Sequence, residues 1–319
     1  MAKQKKIDIV ISDKINDAGI DLLKKKFNVV LYYGKTNDEL IKYLTVFSLK
    51  NKSKIVLIIR STRKLEKNSI KDISLQTNVI SICTVSSGFD NIDIEACKLY
   101  KIKVFNVPSG NYISAAEHTF ALILAIFKQL IRVSRSLSKR KFITGYNFSG
   151  ELFGKSIGII GVGRIGSYVA KLARSFGMAV YGNDIKSSVI NKYKWIKFID
   201  KNSLFKTCDI VTVHTPLDGS TYDLINKKNI KYFKPGSVII NCARGGIINE
   251  QALFDSLQKK KIFYAGIDVF ENEPEINFRF SKLDNVLLTP HIAGKTKESH
   301  KRMSIQAAEQ IINYYKYGI

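Results

Sequence analysis

Paired cysteines and long apolar runs are both missing from this sequence. Its four cysteines stand at 83, 97, 208 and 242, none at CxxC spacing and each within an apolar segment. Such scatter argues against a disulfide framework and against a metal centre, and points to reduced thiols in a cytoplasmic protein. The most apolar helical segment, near Ser114–Ile131, carries Glu117 and His118 and then only nine uncharged residues, Thr119–Phe127. A bilayer span needs about 20, so no membrane segment is expected. The opening MAKQKK has the charge of a signal peptide's start, but IDIVISDK brings an acid at once and no long apolar stretch follows. It reads as the approach to a first strand rather than as a targeting segment. There is no internal repeat and no low-complexity linker.

Acidic residues are scarce as well: 27 against 51 Lys and Arg, for a formal net charge of +24. Only ten of the 51 are Arg, and the basic residues form no long block. Proteins that read nucleic acid favour clustered, forked Arg contacts. Lysine here accompanies abundant Ile and Asn, as a general compositional bias would produce. A solvated basic surface is therefore expected and a nucleic-acid partner is not, though such a field would draw anionic small molecules. At 319 residues and 45% apolar content, the chain is long enough for two domains with cores of their own.

Apolar runs at Ile7–Ile11, Val29–Tyr33, Ile55–Ile59, Val79–Cys83 and Val104–Val107 read as strands, with helices between them. Thr36 and Glu39 have the spacing of a capping box that opens a short helix toward Leu44. Ser114 and Glu117 form a second such pair, opening a long helix expected to link the domains. From Ile157 a second series begins, with strands near 157–161, 179–183, 196–199, 209–213, 237–242, 264–268 and 286–289, and a last helix over Lys295–Tyr315. Alternating strand and helix predicts an α/β protein with parallel sheets covered on both faces.

GVGRIG at 161–166 follows the apolar run Ile157–Ile160 and opens an amphipathic stretch reaching about Phe176. This is the strand–turn–helix context that a dinucleotide fingerprint requires. Gly161 permits the tight turn, Gly163 lets the backbone approach a pyrophosphate, and Gly166 lets helix and strand pack closely. The free N–H groups at the helix start favour the anion. Asp184, eighteen residues past Gly166, ends the next strand. There its carboxylate can accept hydrogen bonds from the adenosine ribose and repel a 2′-phosphate, which favours NAD over NADP. The fingerprint stands mid-chain, so a nucleotide domain over 107–291 is expected as an insertion into a substrate domain made of 1–106 and 292–319.

Arg244, Glu273 and His291 lie in NCARGGIINE, DVFENEPE and TPHIAG, each beside a strand-like run. Taken singly, each has an ordinary explanation: a solvated cation, a turn residue before Pro274, a structural histidine. Together they can make a site for reducing a keto acid. The cation holds the substrate's carboxylate and polarises its carbonyl. The imidazole gives the proton, and the carboxylate orients the imidazole and favours its charged form.

With these motifs the chain resembles the D-isomer-specific 2-hydroxyacid dehydrogenases over nearly its whole length. The resemblance also takes in SGFDNIDIEA (87–96), SAAEHTFALILA (114–125) and VHTPLDGSTYDLIN (213–226). It implies a flavodoxin-like substrate domain with an inserted Rossmann NAD-binding domain, and Arg244, Glu273 and His291 as the catalytic residues. For the cofactor it implies Gly161, Gly163, Arg164, Ile165, Gly166 and Asp184, with His214, Thr215, Pro216, Cys242, Ala243, Asp268 and His291 around the nicotinamide end. For the substrate it implies Arg244 and His291, with the keto acid in a cleft; the Ser87 and Gly88 backbone and Arg60, from the first domain, are candidates for further anion contacts. It further implies a last helix returning to the first domain, and a two-fold homodimer built on the Ser114–Ile131 helix. Glu273 separates the chain from the formate dehydrogenase branch, which carries Gln there.

The substrate is less sharply drawn. Arg60 and Arg63 after Ile55–Ile59 can bind a phosphate or can be exposed loop cations. IIRST and GNYISAAEHT resemble phosphoglycerate-type members, which favours D-3-phosphoglycerate and a place in serine biosynthesis. Thr84 stands where several of those relatives carry Arg, Ser86 replaces a glycine before DNID, and the sequence ends at Ile319 without their C-terminal regulatory domain. Glyoxylate or hydroxypyruvate reduction is the alternative. From a different class, some relatives of this fold are NAD-sensing corepressors, which turnover would distinguish.

Overall fold

The β-branched runs fold as the central strands of two parallel sheets, buried on both faces as parallel strands are. In the computed structural model the described residues are 7–142, 150–276 and 278–317, so Met1–Lys6 and the question of a targeting segment lie outside them. The first sheet holds β1 (Ile7–Ile11), β2 (Asn28–Leu31), β3 (Lys54–Ile59), β4 (Val79–Thr84) and β5 (Lys103–Phe105), in the order β2-β1-β3-β4-β5. That is the flavodoxin-like order. Its helices are α1 (Asp17–Lys24), α2 (Asn37–Asn51), α3 (Lys67–Gln76) and α4 (Ile94–Leu99).

Thr36 and Glu39 form the expected capping box, with Glu39 N–H donating to Thr36 Oγ1 at 3.2 Å and Thr36 N–H to Glu39 Oε2 at 3.3 Å. The helix does not stop near Leu44. Leu40, Ile41, Leu44 and Ser48 continue one buried stripe, and α2 ends only where Lys52 turns left-handed at φ 50°.

The second sheet holds β6 (Ser156–Ile160), β7 (Ala179–Asn183), β8 (Lys197–Phe198), β9 (Ile210–Val213), β10 (Ser237–Asn241), β11 (Ile262–Ile267) and β12 (Val286–Leu288). The order β12-β11-β10-β9-β6-β7-β8 reverses direction between β6 and β9, as in a Rossmann sheet. Here the long helix is not as expected. Ser114 does not cap it: α5 spans Tyr112–Phe127, Ser114 lies inside it, and its hydroxyl donates to Ala293 O at 2.9 Å. The helix then breaks at Gln129 (φ 53°), and α6 (Leu130–Ser138) follows with no buried residue. Nor is α5 a linker, because Phe120, Leu122, Ile123 and Ile126 pack with Val169, Ala170 and Ala173 in the second unit's core. Those last three belong to α7 (Arg164–Ser175); α8 (Ser187–Lys192), α9 (Lys201–Thr207) and α10 (Glu250–Gln258) complete this unit. The last helix, α11 (Lys297–Ile312), belongs to the first unit, where Ala307, Ala308 and Ile311 pack with Ile20 and Leu23 of α1.

The chain separates into compact units of 1–111 with 295–319 and of 112–294. These limits lie a few residues beyond the expected 106 and 291. Local hydrogen bonds explain the difference. Val107 N–H binds Ser86 O at 2.8 Å, and Arg302 Nε binds Gly110 O at 3.1 Å, which ties 107–111 to the first unit. The Ile292 and Ala293 N–H groups bind Asp268, which keeps that turn in the second. Among the described residues no helix is long and apolar enough to cross a membrane. All four cysteines are buried and free.

The two arginines after β3 part company. Arg63 is buried, and its guanidinium spans both oxygens of Asp13 at 3.0 and 3.1 Å while also reaching Asn37 Oδ1 and Gly34 O. It is a structural clamp, neither a loop cation nor a substrate ligand. Arg60 is partly buried, and its side chain makes no such bonds among the described residues. Removing one partner of a buried pair costs about 3–5 kcal/mol, whereas a partly exposed cation costs within roughly 0.5. Arg63→Met should therefore lower the denaturant midpoint of unfolding sharply while Arg60→Met leaves it near wild type. Equal midpoints for the two variants would sink the distinction.

Candidate active site

The parallel strands of the second unit all end on one side, and the expected cofactor and catalytic residues follow those ends. At the end of β6 the chain turns at Gly161 with φ 85°, and a Cβ on Gly166 would lie 2.1 Å from Gly161 O, so both positions require glycine. A side chain at Gly163 would meet nothing within 4 Å. No side chain caps the start of α7 at Gly163. Open space beside uncapped N–H groups suits a pyrophosphate. Asp184 follows β7 and holds this turn: its Oδ2 accepts from Val162 N–H at 2.8 Å and its Oδ1 from Lys186 N–H at 2.9 Å. Arg164 and Ile165 begin α7.

His214, Thr215 and Pro216 follow β9 beside Gly161. The His214 ring meets Thr212 Oγ1 at 3.0 Å, and burial pushes its pKa down to about 3, so the imidazole is neutral. Its Nδ1 and Thr215 Oγ1 are buried without a partner among the described residues. Unpaired buried polar atoms are expensive, and at this position a bound dinucleotide can satisfy them. Together with the open turn, they make the residues present a fit for the cofactor. Cys242 and Ala243 are buried beyond β10. Burial, with the nearby Asp268 charge, pushes the Cys242 thiol up to about 12, so it is a neutral group.

Arg244 sits in the loop after β10, with Nη1 on Ala243 O at 2.7 Å and its own carbonyl held by Asn241 Nδ2 at 3.0 Å. A Cβ on the next residue, Gly245, would lie 2.0 Å from the Phe270 carbonyl. Only glycine lets the Arg244 loop pack on the loop that carries Glu273. Glu273 Oε2 meets His291 Nδ1 at 2.6 Å, and its Oε1 accepts from Phe270 N–H at 2.9 Å. Burial alone would raise the Glu273 carboxyl, but hydrogen bonds from His291 and Phe270 N–H, with the imidazole's charge, hold it below the usual carboxylate range. The structure thus brings Glu273 and His291 into direct contact and Arg244 onto the adjoining loop.

Asp268, with no exposed surface, organises the turn that bears His291. Oδ1 accepts from Thr289 Oγ1 at 2.6 Å and Ile292 N–H at 2.9 Å, and Oδ2 from Ala293 N–H at 2.9 Å. Burial raises its pKa, but these bonds and one from His118 outweigh it and hold the carboxyl below its ordinary value. His118 and Thr289 were not expected in the site. Their only sequence signal was an imidazole interrupting an apolar helix and a hydroxyl two residues before His291. Ser87, Gly88 and Arg60 lie in the first unit. Ser87 O accepts from Asn106 Nδ2 at 2.7 Å, and Ser86 Oγ, bonded to Thr84 Oγ1, donates to Gly88 O at 2.6 Å. The serine and threonine at the two departures from the phosphoglycerate pattern thus stiffen this loop.

Residues 120–293 match the profile described as D-isomer specific 2-hydroxyacid dehydrogenase, NAD binding domain. The chain is 36% identical over 308 residues to a D-3-phosphoglycerate dehydrogenase of Methanocaldococcus jannaschii, covering 96% of this chain and 57% of that protein. It thus spans little more than half the length of the curated phosphoglycerate dehydrogenases it matches. It is 38% identical over 259 residues to a hydroxypyruvate reductase of Thermotoga maritima, covering 80% and 83% respectively. Among solved structures, it resembles a D-lactate dehydrogenase from Aquifex aeolicus complexed with NAD and lactic acid, with TM-score 0.82, 28% identity and coverage of 97% and 96%. It equally resembles an acyclic imino acid reductase in complex with NADPH and D-Arg, with TM-score 0.82, 27% identity and the same coverages.

Because neighbours hold either dinucleotide, Asp184 gives a direct test. Its carboxylate should favour a ribose hydroxyl and repel a 2′-phosphate. Fluorescence titration should give NADH the lower Kd by more than about tenfold, roughly 1.4 kcal/mol, and Asp184→Ala should narrow the gap. Equal affinities in the wild type would refute this, and Lys186 nearby is the residue that would weaken the preference.

Proposed function

Since this chain belongs to the D-isomer-specific 2-hydroxyacid dehydrogenases, with NAD as cofactor, we propose that it reduces a 2-keto acid to the D-2-hydroxy acid and runs the reverse oxidation. The specific reaction proposed is that of D-3-phosphoglycerate dehydrogenase, within serine biosynthesis in the cytoplasm. The observation that carries the chemistry is the 2.6 Å contact between His291 Nδ1 and Glu273 Oε2, one loop away from Arg244. Relatives named D-3-phosphoglycerate dehydrogenase, 33–36% identical over almost the whole chain, support the specific reaction. Hydroxypyruvate reduction is the second reading, favoured by the relative of that name that this chain nearly spans. Steady-state assays across a panel of 2-keto and 2-hydroxy acids decide between them. Absence of turnover with all of them would favour a dinucleotide-sensing binding protein instead.

In this mechanism Arg244 holds the substrate's carboxylate and polarises its carbonyl. Bound NADH supplies the hydride. Glu273 accepts the Nδ1 hydrogen of His291, which leaves Nε2 as the atom that gives its proton to the carbonyl oxygen; in oxidation Nε2 takes the proton from the hydroxyl. Arg60 and the Ser87–Gly88 backbone are proposed as further anion ligands. Arg60→Met should therefore raise KM for a phosphorylated substrate more than for glyoxylate.

A homodimer is also proposed. Leu130, Val133 and Leu137 fall on one side of α6 at i, i+3, i+7 spacing, and Leu130 and Leu137 are exposed. An exposed apolar helix face of this kind fits a symmetric self-interface. Sedimentation at micromolar concentration should give a species of twice the 36.0 kDa chain mass; a monomer alone would count against it.

Two substitutions separate the acid from its partner. His291→Ala should lower kcat by roughly 10²–10⁴-fold with little change in NADH affinity. Glu273→Gln keeps a hydrogen-bond partner but loses the carboxylate that holds His291 Nδ1 at 2.6 Å. Its kcat should fall, but by less than in His291→Ala, because the imidazole is still present. A Glu273→Gln enzyme with wild-type kcat would show that this carboxylate does not assist the histidine.

A further inference from the structure

His118 and Thr289 have no part in the chemistry just described, yet they sit against the group that shapes it. The Asp268 carboxylate binds the N–H groups of Ile292 and Ala293, and its backbone carbonyl binds His291 N–H at 2.8 Å. These bonds hold His291 in the left-handed region at φ 51°. A non-glycine residue stays there only when its surroundings over-determine it, and the direction of the imidazole follows from that backbone.

The hydrogens around Asp268 can be assigned. Asp268 is an ionised carboxylate and accepts only. The Thr289 hydroxyl, 2.6 Å from its Oδ1, must therefore donate to it. Thr289 Oγ1 is then left with lone pairs alone for His118 Nε2, which lies 3.1 Å away. His118 Nε2 must carry a hydrogen and donate it. It is also 3.5 Å from Asp268 Oδ1, so the same N–H reinforces the carboxylate. The chain runs from His118 Nε2–H to the Thr289 hydroxyl to Asp268, and Asp268 ends it on the turn of His291.

We propose that His118 is a positioning residue for the keto-acid reduction: its Nε2–H, through Thr289 and Asp268, sets the turn that aims His291. This rests on the reading of His291 as the proton donor. An error of about 1 Å in the placement of a reacting group can cost about 10²-fold in rate. His118→Leu keeps the bulk and loses the donor; His118→Gln keeps an N–H at similar reach.

The experiment has two arms. In kinetics, His118→Leu should lower kcat roughly 10- to 100-fold while NADH affinity and keto-acid KM stay within about twofold, and His118→Gln should recover most of the loss. A residue that served stability alone would lower Tm in both variants and leave kcat of the folded enzyme unchanged. Wild-type kcat in His118→Leu, or no recovery in His118→Gln, overturns the proposal. The second arm needs no turnover. The chain has four histidines, so their ¹⁵N ring resonances can be assigned by single substitutions. His118 should show a protonated Nε2, and His118→Leu should shift the His291 ring signals while those of His300 stay. A bare Nε2 on His118, or unmoved His291 signals, overturns the proposal even if the wild type reduces no keto acid. That last result by itself would instead remove the dehydrogenase reading.

Discussion

An ionised carboxylate with no exposed surface costs several kcal/mol to bury unless donors surround it, and the second unit is arranged around that requirement. Asp268 follows β11, and its donors come from the turn after β12 and from α5. Hydrogen bonds to a charged group contribute about 1.5–3 kcal/mol each. The left-handed conformation of His291 costs about 1–2 kcal/mol. The backbone donors of Ile292 and Ala293 therefore outweigh the strain, and the turn can hold a conformation that an unassisted histidine would leave. Burial that looks wasteful for stability becomes the means of fixing one side chain's direction.

The scarcity of acids sharpens the point. In a chain of net charge +24, three acidic groups of the second unit are tied to particular partners: Asp268 to its turn, Glu273 to His291, Asp184 to the fingerprint turn. Lysines crowd the surface, but His291 is paired with a carboxylate and the half-buried His214 ring is neutral. The basic surface can draw in an anion, and in the proposed mechanism the local acids govern its proton transfer.

Much of this was legible in the sequence, for a physical reason. Parallel strands buried on both faces must be written as β-branched runs, so IDIVI, KIVLII and VISICT announce themselves, and GVGRIG marks one turn that few other sequences can make. Errors arose where a local pattern met a distant partner. Ser114 and Glu117 have capping-box spacing, but the Ser114 hydroxyl is taken by Ala293, 179 residues away. Arg63 looked equivalent to Arg60 until Asp13, fifty residues earlier, claimed both ends of its guanidinium. The run past Leu44 continued because Ser48 extended a buried stripe that hydropathy alone did not mark. Arg244, Glu273 and His291 could be named from their motifs, but His118 could not, because its meaning lies in Thr289 and Asp268 on other elements.

The nucleotide turn obeys the same economy as the His291 turn. Asp184 accepts from Val162 N–H with one oxygen and from Lys186 N–H with the other. A carboxylate has about four lone-pair sites, so two remain for ribose hydroxyls after the backbone has been served. The group that would recognise the cofactor is thus already held by the loop it recognises through, and binding needs little reordering of it. In both turns a carboxylate at the end of a strand first fixes backbone N–H groups. At Asp268 the fixed backbone aims a neighbouring imidazole; at Asp184 the carboxylate itself is what is aimed. That difference explains why Asp184 could be proposed for the ribose from its spacing to a glycine motif, while the hold of Asp268 on the His291 turn emerged only from what its two oxygens bind.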